Sequence, residues 1–190
     1  MALSSGTVIA VAWIAALIVW LLGSMTAKAT VRSQSVTSRL LELAPILIGV
    51  LILRGDRFLL RSLSARFVPA TPTWQDLGVA LTVAGVAFAI WSRFYLGRNW
   101  SAKVTVKEDH ELIRSGPYSI VRHPIYSGFL LGLLGTVIYG GQWKGLVALA
   151  LVLISWKIKT SREESFMESE FGEQYVQYRH DVKSLVPFIW

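Results

Sequence analysis

The sequence predicts an all-α fold, a polytopic membrane bundle of about five transmembrane helices followed by a C-terminal cytoplasmic helix. Hydrophobic residues occupy 53% of the 190 positions and charged residues only 16%, whereas soluble globular chains carry about 25% charged residues. The apolar residues also occur in blocks that approach the ~20 residues needed to cross a bilayer. Together these observations favour a membrane protein over a soluble one.

The first 70 residues form the predicted N-terminal region, with two spans. Residues 6–23 are longer than the ~7–15-residue core of a signal peptide, and no basic residue precedes them, so we expect a retained span 1. Span 2 covers residues 40–53, with Pro45 in an early turn, where proline is tolerated. Residues 54–68 place arginines opposite an apolar face, which fits an interfacial helix or an extension of span 2.

Residues 71–190 form the predicted core. Span 3 covers residues 75–95, and its small residues would allow close helix packing in lipid: Gly78, Ala80, Ala84, Gly85, Ala87 and Ala89. Spans 4 and 5, residues 124–139 and 143–158, are joined by the short turn "GGQW" and must form a helical hairpin. The polar residues that follow span 5 are predicted to be helical.

The distribution of charge predicts the orientation and excludes several functions. Basic residues collect in the loop 96–122 and after residue 157, so the positive-inside rule places both in the cytoplasm and the N-terminus outside. In this arrangement, four arginines in residues 54–66 lie on the outer side of the membrane, which contradicts the positive-inside rule. The net charge of +7 suits anionic lipid headgroups. Nucleic-acid binding is not expected, because no basic–aromatic platform occurs.

The chain contains no cysteine. Disulfides, thiolate chemistry and cysteine–zinc sites are therefore excluded. No metal site is predicted from the remaining residues.

Two polar segments flank the predicted hairpin, "GPYSIVRHPIYSG" at 116–128 and "KTSREESFMESEFGEQYVQYRHDV" at 159–182. The hairpin brings them to one end of the bundle. Lys159 and Glu163 are four residues apart and share a helix face, near His123 and Tyr126. Ionisable groups at a membrane boundary indicate function when they face inward, and this set can hold a zwitterionic cofactor. Alternatively, the lysine only snorkels to the interface and the histidine only caps a helix.

These two segments resemble the isoprenylcysteine carboxyl methyltransferase family over residues 96–187. Sterol reductases and phospholipid methyltransferases carry motifs like "RHPxYxG". The combination of this motif with "EE", "FG" and "YxxY" is more specific for the family than "RHPxYxG" alone. The resemblance implies a helical membrane enzyme that uses S-adenosyl-L-methionine.

The resemblance also assigns site residues. It implies that the cofactor is held by three segments and one preceding polar residue: Lys103; His110, Glu111, Leu112, Ile113 and Tyr118; His123, Pro124, Ile125 and Tyr126; and Glu163. The family places a substrate-binding arginine one turn before the glutamate, where this chain has Lys159, with Arg162 nearby. Arginine grips a carboxylate bidentately, whereas lysine offers a point charge. We therefore expect Lys159 or Arg162 to orient the acceptor beside Glu163.

The resulting hypothesis is methyl transfer to the carboxylate of a lipophilic, isoprenylcysteine-like or prenylated acceptor taken from the membrane lipid. The site would face the cytoplasm from the inner or plasma membrane. Alternatives are a phospholipid or small-amine N-methyltransferase, a nicotinamide-dependent sterol-type reductase, and a non-catalytic membrane scaffold. The sequence predicts neither the identity of the acceptor nor the oligomeric state.

Overall fold

A computed structural model describes residues 3–25, 30–33, 36–55, 61–97, 105–107 and 112–187. The helices in these ranges are α1 Ser5–Met25, α2 Val36–Arg54, α3 Arg61–Ser64, α4 Pro72–Leu96, α5 Pro124–Gly140, α6 Trp143–Phe171 and α7 Glu173–Asp181, with a 3-10 turn at Gly116–Ser119. The predicted helical architecture is confirmed. Two short strands that the sequence did not predict, β1 Thr30–Ser33 and β2 Thr105–Lys107, pair antiparallel.

Among the described helices, α1 and α4 are long and apolar enough to cross a membrane, and α5 is apolar but shorter. The count of about five spans therefore stays a prediction. Helix α2 begins four residues before the predicted span 2, and α6 continues without a break past residue 158 to Phe171. No glycine or proline interrupts residues 159–171, and Gly172 follows the last helical residue. The polar half of α6 therefore extends the apolar half directly.

Helices α4 and α5 pack backbone against backbone through glycines. A Cβ atom added to Gly85 would lie 2.5 Å from the Gly128 carbonyl oxygen, and one added to Gly135 would lie 2.5 Å from the Thr82 amide nitrogen. Only half of the small residues predicted to mediate packing take part: Gly78, Gly85 and Ala89 are buried, whereas Ala80, Ala84 and Ala87 are exposed. This contact holds α5, which begins at the polar segment 116–128, in a fixed position.

The turn between α5 and α6 is closed by the segment after α3. Gly141 has φ +69°, a left-handed conformation that favours glycine. Its carbonyl accepts a hydrogen bond from the Phe67 amide at 2.8 Å, and the Trp143 amide donates to the Ala65 carbonyl at 3.1 Å. Helix α2 ends at Arg54, so the interpretation of residues 54–68 as an extension of span 2 is wrong. Among the described residues of 55–68, only Arg61–Ser64 are helical. Arg66 instead donates to the Gly140 carbonyl, which keeps it at the hairpin turn.

The opposite end of the bundle carries the polar segments, and we call it the polar end. There the β1–β2 pair joins the α1–α2 connection to the α4–α5 connection. Buried Arg93 links two helix ends by donating to the Gly23 carbonyl of α1 and the Gly97 carbonyl after α4, both at 2.8 Å. The two connections are therefore held together at one end.

Candidate active site

The start of α5 is shaped by Gly116 and the two prolines of segment 116–128. Gly116 has φ +59°, and a Cβ atom there would lie 2.5 Å from the Tyr95 ring. Pro117 is the second residue of the 3-10 turn and Pro124 is the first residue of α5, where its missing N–H is not needed. His123 occupies the N-cap position but makes no side-chain capping hydrogen bond. Its imidazole is therefore available for contacts with α6.

His123 and Tyr126 meet two adjacent carboxylates on the polar half of α6. The Tyr126 hydroxyl donates to Glu163 Oε1 at 2.6 Å. His123 Nδ1 lies 3.5 Å from Glu163 Oε2, and His123 Nε2 lies 3.0 Å from Glu164 Oε1. The His123 residue is only 9% exposed. The structure thus brings together His123, Tyr126 and Glu163 at the end where the hairpin was predicted to place them, and Glu164 of the same polar segment joins them.

The charges in this cluster stabilise one another. Burial disfavours the imidazolium of His123, but its hydrogen bonds to Glu163 and Glu164 outweigh that effect and raise the pKa of His123 above its ordinary value. Burial opposes ionisation of Glu164 as well, yet the hydrogen bond from His123 and the charges of His123 and Arg122 lower its pKa to about 2. The pKa of Glu163 is lowered for similar reasons, with the charge of Lys159 contributing. At neutral pH, both carboxylates are anionic.

The two cations that sequence reasoning offered for the acceptor point to different partners. Lys159 Nζ lies 5.5 Å from the centroid of the Tyr126 ring. Arg162 Nη1 pairs with Glu42 Oε1 of α2 at 2.8 Å. Sequence reasoning missed Glu42, although a carboxylate within an apolar block indicates function by its cost in lipid. Glu42 is 5% exposed, and its backbone carbonyl accepts a hydrogen bond from the Ser155 hydroxyl.

An aromatic run leads from the apolar part of the bundle to this cluster. The Phe129 ring centroid lies 5.9 Å from that of Trp13, 4.7 Å from that of Trp20 and 6.3 Å from that of Trp156. Trp156 in turn lies 5.3 Å from Tyr126. Helices α1, α5 and α6 therefore present a continuous apolar surface that ends at the Tyr126–Glu163 hydrogen bond.

The remaining predicted cofactor residues are distributed as follows. Tyr118, Pro124 and Ile125 are buried, and Leu112 and Ile113 are half-buried just before the 3-10 turn. The Tyr118 carbonyl accepts a hydrogen bond from the Tyr178 hydroxyl of α7 at 2.6 Å. Lys103, His110 and Glu111 lie outside the described residues.

Comparison with known proteins places this arrangement in a family. A family model described as phospholipid methyltransferase matches residues 74–174, which is more than half of the chain and includes both polar segments. The chain belongs to the phospholipid methyltransferase family.

Relatives of this phospholipid methyltransferase family member are named isoprenylcysteine methyltransferases, as the sequence motifs suggested. It is 32% identical over 120 residues to protein-S-isoprenylcysteine O-methyltransferase B of Arabidopsis thaliana, covering 60% of each chain. It is 40% identical over 98 residues to protein-S-isoprenylcysteine O-methyltransferase of Schizosaccharomyces pombe, covering 49% of this chain and 41% of that one. The resemblance to isoprenylcysteine methyltransferases is confirmed. The chain spans about 60% or less of the length of these two relatives.

A solved structure shows the same fold. It is titled as the eukaryotic intramembrane Ras methyltransferase ICMT, and it matches with a TM-score of 0.52 and 24% sequence identity over 84% of this chain and 55% of that chain. Together with the apolar helices, this fold identifies the phospholipid methyltransferase family member as an integral membrane protein.

Proposed function

We propose that the protein is a membrane methyltransferase that uses S-adenosyl-L-methionine to methylate the carboxylate of a lipophilic, isoprenylcysteine-like acceptor. The observation that carries the proposal is the convergence of His123 and Tyr126 with Glu163. This cluster lies where an aromatic, apolar surface meets a polar end. Such a boundary can receive a polar donor from one side and a lipid-soluble acceptor from the other.

The chemistry of the cluster fits the donor. When bound, S-adenosyl-L-methionine supplies a methyl group on a positively charged sulfonium, beside an α-amino group. Glu163 offers a half-buried carboxylate held in its anionic form, which attracts a cation. The Tyr126 hydroxyl donates to this carboxylate, and the Tyr126 ring centroid lies 5.3 Å from that of Trp156. Aromatic ring faces also attract positive charge. In this proposal the donor site is completed by Tyr118, His123, Pro124 and Ile125, together with Lys103, His110, Glu111, Leu112 and Ile113.

Residues on α6 would hold the acceptor. A carboxylate is already anionic at pH 7, so methylation needs orientation rather than a strong base. Positioning of aligned reactants can supply about 7–11 kcal/mol of the barrier reduction. We assign Lys159 to the acceptor carboxylate because its ammonium lies beside Tyr126. Arg162 contacts Glu42 of α2 and, in this proposal, braces the acceptor side of the site.

The location follows from the same proposal. Residues 71–190 would form the catalytic core and residues 1–70 would complete the bundle. The polar end, with the loop 96–122 and the chain after residue 157, would face the cytoplasm from the inner or plasma membrane, as the positive-inside rule requires. The donor would then enter from the cytoplasm and the prenylated acceptor from the lipid.

The proposal is tested with the purified full chain in lipid nanodiscs and a methyl-labelled donor. Three acceptors are compared: N-acetyl-S-farnesylcysteine, the same molecule with its carboxylate converted to an amide, and phosphatidylethanolamine. Label on the free acid alone supports carboxyl methylation. Label on phosphatidylethanolamine would replace it by amine methylation, the second candidate, which the family model's description favours. Reduction of a sterol by a nicotinamide cofactor, with no methyl transfer, would overturn both.

Lys159 is expected to act on the acceptor rather than on the donor. Replacing it with alanine should raise KM for the farnesylated acid about tenfold or more, because a charged hydrogen bond of roughly 1.5–3 kcal/mol is lost. Lys159→Arg should retain activity, since arginine also binds carboxylates. Lys157→Ala, two residues away and on another helix face, is the matched control. Initial-rate kinetics with each substrate varied would contradict the assignment if only KM for the donor changed.

A further inference from the structure

Glu164 is the centre of a second hydrogen-bond cluster, next to the candidate site but distinct from Glu163. Its Oε1 atom accepts from Arg122 Nε at 3.0 Å, Arg122 Nη2 at 2.7 Å, His123 Nε2 at 3.0 Å and Ser184 Oγ at 3.2 Å. These donors come from the start of α5 and from the chain after α7. One carboxylate oxygen therefore connects three parts of the fold.

The chain after α7, residues 182–187, is held against the start of α5, and we call it the C-terminal segment. The Arg122 amide donates to the Lys183 carbonyl at 2.8 Å, and the His123 amide donates to the Ser184 carbonyl at 3.0 Å. Ser127 Oγ donates to the Leu185 carbonyl at 2.6 Å. The backbone of His123 is thus fixed independently of its side chain.

Arg122 connects the same groups from the other side. Besides its ion pair with Glu164, its Nη1 atom donates to the Arg179 carbonyl at 3.0 Å and to the Val182 carbonyl. These carbonyls lie at the C-terminal end of α7, where a cation is favourable. The guanidinium holds Glu164 in place and leaves its Oε1 atom directed at His123.

The ring of His123 lies between two carboxylates. Nε2 faces Glu164 at 3.0 Å and Nδ1 faces Glu163 at 3.5 Å. A neutral imidazole has a single N–H, whereas the imidazolium has two. Only the protonated ring can donate to both carboxylates at once. The contact with Glu164 therefore favours one orientation of the ring and its protonated form.

We propose that Glu164 is a positioning residue that holds the His123 imidazolium through Nε2, so that Nδ1 is presented to Glu163 in the donor site. The proposal deepens the proposed function and rests on it for the role of the donor site. Glu164 itself touches neither substrate. It acts through His123, and Arg122 and Ser184 keep its carboxylate in place.

The groups around His123 predict the effect of pH. Glu163 and Glu164 face the ring from α6, Tyr126 lies beside it on α5 with its centroid 5.8 Å away, and Arg122 precedes it. From α7, Tyr175 lies near enough to interact electrostatically with Glu164. Since the pKa of His123 is raised, the imidazolium persists below that pKa and is lost as pH rises through it. Activity should fall on this alkaline limb.

Glu164→Gln should weaken the imidazolium while keeping the size of the side chain. We expect the pKa of His123 to fall by about one unit or more, a tenfold increase in its dissociation constant. The alkaline limb of the rate profile should move to lower pH by the same amount. KM for the donor should rise about tenfold, because the charged hydrogen bond that orients His123 is lost, while KM for the acceptor stays unchanged. Glu168→Gln, on the exposed side of α6, is the matched control.

The deciding measurement follows ¹⁵N-labelled histidines by NMR in the full chain in nanodiscs, without substrates. His123 is assigned with His123→Gln, and exposed His180 serves as an internal reference. Protonation of both ring nitrogens near neutral pH in the wild type, lost at lower pH in Glu164→Gln, supports the proposal. An unchanged His123 titration in Glu164→Gln overturns it.

Two further outcomes are distinguishable. If Glu164→Gln does not fold because Arg122 is left without its carboxylate, the double variant Arg122→Gln/Glu164→Gln removes both charges. Because loss of Arg122 also removes a positive charge beside His123, this protein is compared with Arg122→Gln alone, and an equal His123 titration in the two variants overturns the proposal. If the wild type shows the predicted titration but transfers no methyl group to any acceptor, the proposed function fails and the Glu164–His123 contact stands. The NMR and the transfer assay therefore report on the two proposals separately.

Discussion

Replacing Glu163 with glutamine should reduce methyl transfer by more than about a hundredfold, which is the size of effect expected when a preorganised charged group is removed from a reacting site. The carboxylate accepts a hydrogen bond from Tyr126 at 2.6 Å and faces His123 Nδ1 at 3.5 Å. Glutamine keeps the shape but removes the negative charge that would attract the cationic donor. The loss should appear in donor binding, measured by calorimetry, as well as in transfer of label.

The control for this variant lies on the same helix. Glu168 pairs with Arg179 at 3.1 Å, and its side chain is 45% exposed. Exposed ion pairs contribute about 0–1 kcal/mol, so Glu168→Gln should transfer label at the wild-type rate. If Glu163→Gln also retained full activity and donor affinity, Glu163 would have no part in the site. A variant with lost transfer but normal donor affinity would move Glu163 from the donor to the acceptor.

The sequence alone predicted the contact between His123 and Glu163 because it depends on a single local feature, the short hairpin turn. Once "GGQW" requires α5 and α6 to be antiparallel neighbours, the residues before α5 and after the apolar half of α6 must lie at one end. The family resemblance then assigned roles within that end. Neither the hairpin argument nor the family resemblance required knowledge of how the other helices pack.

The contacts that the sequence did not predict are those made by backbone groups or by single charges far apart in the chain. The C-terminal segment is held by the carbonyls of Lys183, Ser184 and Leu185, and carbonyls leave no signature in a sequence. The hairpin also places Arg122 and Glu164 at one end, but their ion pair was not predicted, because either side chain was equally compatible with a solvated face. The β1–β2 pair is too short to produce a recognisable alternation of polar and apolar residues.

Glu42 is a different case, since a signal for it was present. A carboxylate inside the apolar block of span 2 should be paired or face the interior, and it pairs with Arg162 of α6. The free-energy cost of an unpaired carboxylate in lipid would have predicted a partner on another helix. It would not have selected Arg162, because the structure places α2 beside α6 through packing that motif analysis does not address.

Gly85→Ala should destabilise the protein by about 1–3 kcal/mol, the usual cost of adding a methyl group to a filled contact. The new Cβ would lie 2.5 Å from the Gly128 carbonyl oxygen. That oxygen belongs to the backbone of α5 and cannot rotate away as a side chain would, so the two helices must separate. The midpoint of thermal unfolding, measured in one detergent for both proteins, should fall accordingly.

Gly140→Ala makes the matched comparison, because a Cβ atom there meets nothing within 4 Å. In a helix alanine is favoured over glycine by about 1 kcal/mol, so this variant should be as stable as the wild type or more so. Equal stability of Gly85→Ala would mean that α4 and α5 lie farther apart than described. Separation of these helices also moves the start of α5, which carries His123 and Tyr126, away from Glu163 on α6. Gly85→Ala should therefore lose donor affinity even at temperatures where it remains folded, whereas Gly140→Ala should keep it.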